Sequence, residues 1–101
     1  MAPTSSSGSE RGRQRREAHY AGHVQGVGFR ATVETLASGF NVTGFVRNLD
    51  DGRVQVVAEG SADELTRFFD LIARRMANYI RQATADTRPA VCEFDDFEIR
   101  S

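Results

Sequence analysis

The stretch from Val42 to Glu59, VTGFVRNLDDGRVQVVAE, constrains the fold more than any other part of this chain. Val42, Gly44 and Val46 alternate with Thr43, Phe45 and Arg47, which is the period of a strand with one buried face. Beyond Leu-Asp-Asp-Gly, Val54, Val56 and Ala58 fall on one face in the same way. Asp51-Gly52 between two such runs is a strong hairpin signal, because these residues accept the positive φ that a tight turn needs. The chain therefore has an antiparallel pair at its centre, and the flanking segments decide the architecture.

Both flanks read as helices. On the N-terminal side Phe29, Val33, Leu36, Ala37 and Phe40 form one amphipathic stripe, with Gly39 near its end as a stop. On the C-terminal side Ser61 and Glu64 form a capping box, and Leu65, Phe68, Phe69, Ile72 and Met76 form the second stripe. Before the first helix, Glu17 to Val24 suits a strand, with Ala18, Tyr20, Gly22 and Val24 on one face and His19 and His23 on the other. After the second helix, YIRQATAD alternates weakly as a strand that Arg88-Pro89 breaks, and FDDFEIR adds a short last strand. The order is β-α-β-β-α-β plus an extra edge strand. It predicts a ferredoxin-like α+β sandwich, an antiparallel sheet carrying two helices on one face.

The connection between the first strand and first helix, GHVQGVGFR, is where chemistry is concentrated. A strand, a glycine-rich turn and a helix N-terminus is a layout that binds phosphate. Successive N–H groups from Gln25 to Arg30 can curl around an anion, with the helix dipole behind them. Arg30, in the first helical turn, could close the cradle with two parallel N–H···O bonds. The spacing is neither G-x-x-x-x-G-K-[ST] nor G-x-G-x-x-G, so neither nucleotide fingerprint applies. Taken alone, the loop is equally readable as a plain tight turn. Asn48, which ends the second strand just before the hairpin turn, projects beyond the sheet edge. It reads either as a turn-capping asparagine or as an amide beside a bound phosphate.

The two blocks together resemble the acylphosphatase family. GHVQGVGFR carries G-x-V-Q-G-V-x-[FY]-R, and GFVRNLDDGRV carries G-x-V-x-N-x-x-D-G-x-V; the resemblance spans Tyr20 to Ile72. Gly28 before Phe29 is similar to the prokaryotic branch. The resemblance implies hydrolysis of the carboxyl–phosphate anhydride of an acyl phosphate to carboxylate and inorganic phosphate, with no metal and no cofactor. It implies that Arg30 binds the phosphate, that Asn48 positions the attacking water, and that the backbone of Gln25, Gly26, Val27, Gly28 and Phe29 supplies the rest of the cradle. The same resemblance leaves one alternative, a non-catalytic module that holds a phosphorylated ligand or a partner. The segment ARRMANYIRQATADTRPAV departs from the family pattern, which implies a longer second helix or a differently built connection. Ala31 and Thr32 are smaller than the aromatic residue common after the arginine, which implies a wider pocket.

Composition narrows the remaining possibilities. The 101 residues form one domain by length, and the 40% hydrophobic and 27% charged fractions suit a globular protein. There is no lysine, so Schiff-base catalysis is excluded. Cys92 is the only cysteine, so an intrachain disulfide is excluded and a cytoplasmic location is expected. It reads as a packed or partly exposed thiol. No apolar run has membrane-spanning length, and none at the N-terminus resembles a secretory h-region. A net charge of −1 and the lack of an aromatic motif on the central strands argue against nucleic acid as a partner. A monomer is expected. Residues 1–16, MAPTSSSGSERGRQRR, have essentially no large apolar side chain and read as a disordered Arg/Ser-rich tail ahead of a domain over 17–101. His19 and His23 lack a third ligand and read as sheet-face residues. Asp50 and Asp51 are explained by the turn, and Asp95 and Asp96 by the solvated strand edge.

Overall fold

Seven elements follow one another in a computed structural model that describes residues 12–101. They are β1 (Arg13–Gly22), α1 (Phe29–Ala37), β2 (Thr43–Asn48), β3 (Val54–Ser61), α2 (Ala62–Arg75), β4 (Ile80–Pro89) and β5 (Phe97–Arg100). The strands form one sheet in the order β4-β1-β3-β2-β5. Neighbours among the first four are antiparallel, as the ferredoxin-like plan requires, and β5 joins the β2 edge in parallel. The sheet is therefore mixed, because the extra strand arrives by a crossing segment and not by a hairpin.

The helical stripes form the core as their spacing predicts. Phe29, Val33, Leu36 and Ala37 of α1 and Leu65, Phe68, Phe69 and Ile72 of α2 are buried against Ala18, Tyr20, Val46, Val54, Val56 and Ala58 of the sheet. Full burial of a side chain the size of Phe29 or Phe68 contributes about 1.5–3 kcal/mol. Phe68 is the hub, with ring centroids of Phe40, Phe69 and Phe97 at 5.7, 5.2 and 5.6 Å. Ser61 caps α2 by accepting from the Glu64 N–H at 3.2 Å, while the Glu64 carboxylate accepts from the Asn41 N–H at 2.8 Å. The second half of the expected capping box is thus spent on tying α2 to the segment ahead of β2.

β1 starts at Arg13, so Arg13–Arg16 belong to the sheet and not to a tail ending at residue 16; the rest of that segment, 1–11, lies outside the described residues. These arginines pair because their flat ends have aromatic and acidic partners. The Arg16 guanidinium lies over the Phe69 ring at 5.7 Å, and that of Arg15 lies over Phe94 at 5.3 Å and pairs with Glu93 at 2.7 Å. The strand also ends earlier than Val24, which is buried in the following loop. α2 is not lengthened. It ends at Arg75, Met76 donates to the Ile72 carbonyl, and one turn closed by the Tyr79 N–H on the Met76 carbonyl leads into β4.

The sheet face away from the helices is covered by residues 90–96, the crossing segment between β4 and β5. Its anchor is Glu59, a carboxylate with no solvent exposure that stands opposite Arg15 in β1 and Thr43 in β2. Glu59 accepts from the backbone N–H groups of Val91 at 2.8 Å and Cys92 at 2.9 Å, with the Arg15 guanidinium 3.7 Å away. Buried and fully hydrogen-bonded, it holds the crossing segment down. Cys92 is exposed at its thiol and adopts φ 58° to present its N–H. The alternation in β3 predicted one buried face; the strand is buried on both because the crossing segment supplies a second layer.

Candidate active site

The loop from His23 to Gly28 turns from β1 into α1 with two left-handed residues, Gly26 and Gly28, each at φ 80°. A Cβ at either position would meet no other atom within 4 Å, so the backbone angle and not crowding is what demands glycine. Gly28 is also the N-cap of α1, and it has no side chain to cap the helix. The first turn contains no acidic residue. The first helical bond is Thr32 N–H to the Gly28 carbonyl at 2.9 Å. Among the described residues, no backbone N–H from Gln25 to Ala31 donates to a protein acceptor. An N-terminus with neither a cap nor a carboxylate presents its partial positive charge uncompensated.

A concavity of about 210 Å³ opens at this point, lined by Val24, Gly26, Gly28, Phe29, Arg30, Ala31, Asn48 and Ile99. Arg30 and Asn48, distant in sequence, thus share one small space with the glycines. Its size suits a phosphate and the first atoms attached to it, with the remainder in solvent. Gln25 and Val27 do not line it. Val27 packs against the core, and the Gln25 side chain turns to the β2–β3 hairpin. Phe29 anchors the helix start from below, its ring 5.3 Å from that of Tyr20. Burial pushes the Tyr20 hydroxyl well above its ordinary pKa, so it stays protonated.

Two contributors from the last strand were not among the expected site residues. Ile99 of β5 forms a wall, and the Arg100 carbonyl accepts from Arg30 Nη1 at 3.3 Å. β5 reads in the sequence as a peripheral strand, yet it orients the arginine through a backbone group. Neither histidine lines the concavity. His19 lies 3.4 Å from Glu17, and His23 is exposed. Among the described residues no cluster of three or more His, Cys, Asp or Glu side chains could hold a metal ion, and no helix is long and apolar enough to cross a membrane.

Fold and concavity together define a class: a small ferredoxin-like domain in which an uncapped helix N-terminus and an arginine share one concavity. Residues 16–99 match the acylphosphatase family. The chain is 42% identical over 82 residues to the acylphosphatase of Methanospirillum hungatei, covering 79% of this chain and 89% of that one. It is 40% identical over 78 residues to that of Marinobacter nauticus, covering 76% and 85%. The crystal structure of acylphosphatase from Bacillus subtilis superposes with a TM-score of 0.79 at 28% identity, covering 87% of this chain and 99% of that one. The same fold unit matches 12% of the HypF chain of T. kodakarensis, with a TM-score of 0.74 at 27% identity. The chain belongs to the acylphosphatase family and is an enzyme of that family.

Proposed function

We propose that this enzyme hydrolyses the carboxyl–phosphate anhydride of small acyl phosphates without a metal, using Arg30 and the loop amides to bind phosphate and Asn48 to position water. The observation that supports this reading is the run of N–H groups from Gln25 to Ala31 without a protein acceptor, in a loop whose Gly26, Gly28, Phe29 and Ala31 line the concavity that Arg30 and Asn48 also line. The water oxygen forms a bond to phosphorus as the bond from phosphorus to the acyl oxygen breaks. The electron pair of that bond leaves on the carboxylate. A carboxylate is a good leaving group, so no strong general acid is needed. Charge on the equatorial oxygens is met by the guanidinium and the amides. The water's proton passes to a phosphoryl oxygen, since among the described residues no histidine, cysteine or carboxylate side chain lines the concavity to accept it.

That last point sets an expected pH profile. With substrate ionisation held constant, kcat should be flat between about pH 6 and 8. A limb that disappears in His19→Gln or His23→Gln would assign the proton to a histidine and overturn the scheme.

The test of the whole reading is hydrolysis of a synthetic acyl phosphate in the presence of a chelator, with inorganic phosphate as inhibitor. Wild type should turn over, and phosphate should compete. Asn48→Ala should lower kcat by about 10- to 100-fold while leaving phosphate inhibition nearly unchanged, because the amide serves the water and not the phosphate. Phosphate binding without turnover in the wild type would instead mark a non-catalytic module.

A further inference from the structure

We propose that Gln25 is a positioning residue that fixes Asn48 against the phosphate loop, a role that rests on the assignment of Asn48 above. The Gln25 Nε2 donates to two backbone carbonyls, Leu49 at 2.8 Å and Arg53 at 2.9 Å. Both amide protons are therefore used, and two carbonyl acceptors fix which amide atom faces them. These carbonyls are the ones that close the hairpin. The Leu49 N–H donates to the Arg53 carbonyl at 2.8 Å, and the Gly52 N–H donates to the Leu49 carbonyl at 3.1 Å.

Leu49 is the residue after Asn48, and the position of Asn48 is otherwise weakly held. It is the last residue of β2 and pairs only with Val54 of β3, since the β5 register on its other side ends at Arg47–Arg100. Asp50, Asp51 and Gly52 beyond it are exposed to solvent. The Gln25 amide is thus a half-buried bolt from the loop that binds phosphate to the turn that carries the water-positioning side chain. Glutamine suits the task because one neutral nitrogen must give two protons to two acceptors. A glutamate would set an anion against both carbonyls, and a lysine would bring a charge beside the cradle.

A double-mutant cycle on the full chain, with a synthetic acyl phosphate as substrate and inorganic phosphate as competing ligand, tests this. Gln25→Met keeps the length and removes the donors. It should lower kcat by about tenfold or more, since small misplacements of a reacting group carry penalties of that order. The inhibition constant for phosphate should move by less than about twofold. On the Asn48→Ala background the same substitution should cost almost nothing in kcat. Should Gln25→Met not fold, Gln25→Asn, which keeps the donors one methylene short of the carbonyls, replaces it and is read in the same way. A folded variant with wild-type kcat overturns the proposal. So does an equal loss with and without Asn48, which would mark a general structural role. Full activity in Asn48→Ala alone would instead defeat the assignment of Asn48, and the two failures are distinct.

Discussion

Replacing Arg30 by lysine is expected to reduce kcat/KM for an acyl phosphate by about 10²–10³-fold, the loss typical of removing a preorganised donor from a developing oxyanion. Lysine keeps the charge, so the experiment isolates geometry. A guanidinium presents a planar fork that can bond two phosphate oxygens at once, while an ammonium is a point charge on a flexible stem. The fork here is also oriented, because Nη1 donates to the Arg100 carbonyl at 3.3 Å. Arg30 is only half-buried, so the variant should fold with wild-type circular dichroism and melting temperature. Phosphate inhibition should weaken together with kcat/KM, unlike the pattern expected for Asn48→Ala. Near-normal hydrolysis by a folded Arg30→Lys would remove the arginine from the mechanism.

Gly44→Ala should abolish folding, and for a reason remote from the chemistry. Gly44 sits in β2 at φ 148°, opposite Ala58 of β3. A Cβ there would lie 1.9 Å from the Val57 carbonyl oxygen, 2.8 Å from its carbon and 2.9 Å from the Ala58 Cα. All three atoms belong to the backbone of the central strand, which cannot move aside as a side chain can. The Gly44 N–H also donates to the Asp96 carbonyl at 2.9 Å, which docks the start of β5. The cost should exceed about 4 kcal/mol, the range reserved for severe core defects. A domain of this size has about 5–15 kcal/mol of stability in total. Insoluble expression, or a soluble chain with no cooperative melt, is the expected result; a melting temperature within a few degrees of wild type would contradict it.

The elements easiest to read were those whose side chains carry a period. Asp51-Gly52 predicted the hairpin, and the two apolar stripes predicted the faces that α1 and α2 bury. Asn48 and Arg30 could be paired only through the resemblance carried by the two blocks, and the structure brings both side chains to one concavity. What was illegible has a common cause. β5 reaches the concavity through the carbonyl of Arg100, and a backbone group leaves no trace in the pattern of side chains. Arg13 to Arg16 have no apolar member to alternate, yet they pair in the sheet because Phe69 and Phe94 receive two of them. Glu59 reads as a solvent-facing position until residues 90–96 are known to lie over it. The contacts of the Gln25 side chain were hidden in the same way, since its partners are two carbonyls of the hairpin.

Backbone amides are offered in two surroundings with opposite consequences: at Glu59 to the chain's own carboxylate, and in the loop, under the proposed function, to a phosphate. At Glu59 the carboxylate belongs to the chain and water is excluded, so the contact lasts as long as the fold does. In the loop the amides are flanked by Gly26 and Gly28, which are exposed, and solvent competes for the same protons. Competition of that kind weakens the hold on any anion. For a catalyst whose product is itself a phosphate, weak retention is an advantage. A sealed cradle of the Glu59 kind would grip the released phosphate and stall after one cycle, whereas a solvent-exposed loop in the proposed role would let it go and be ready again.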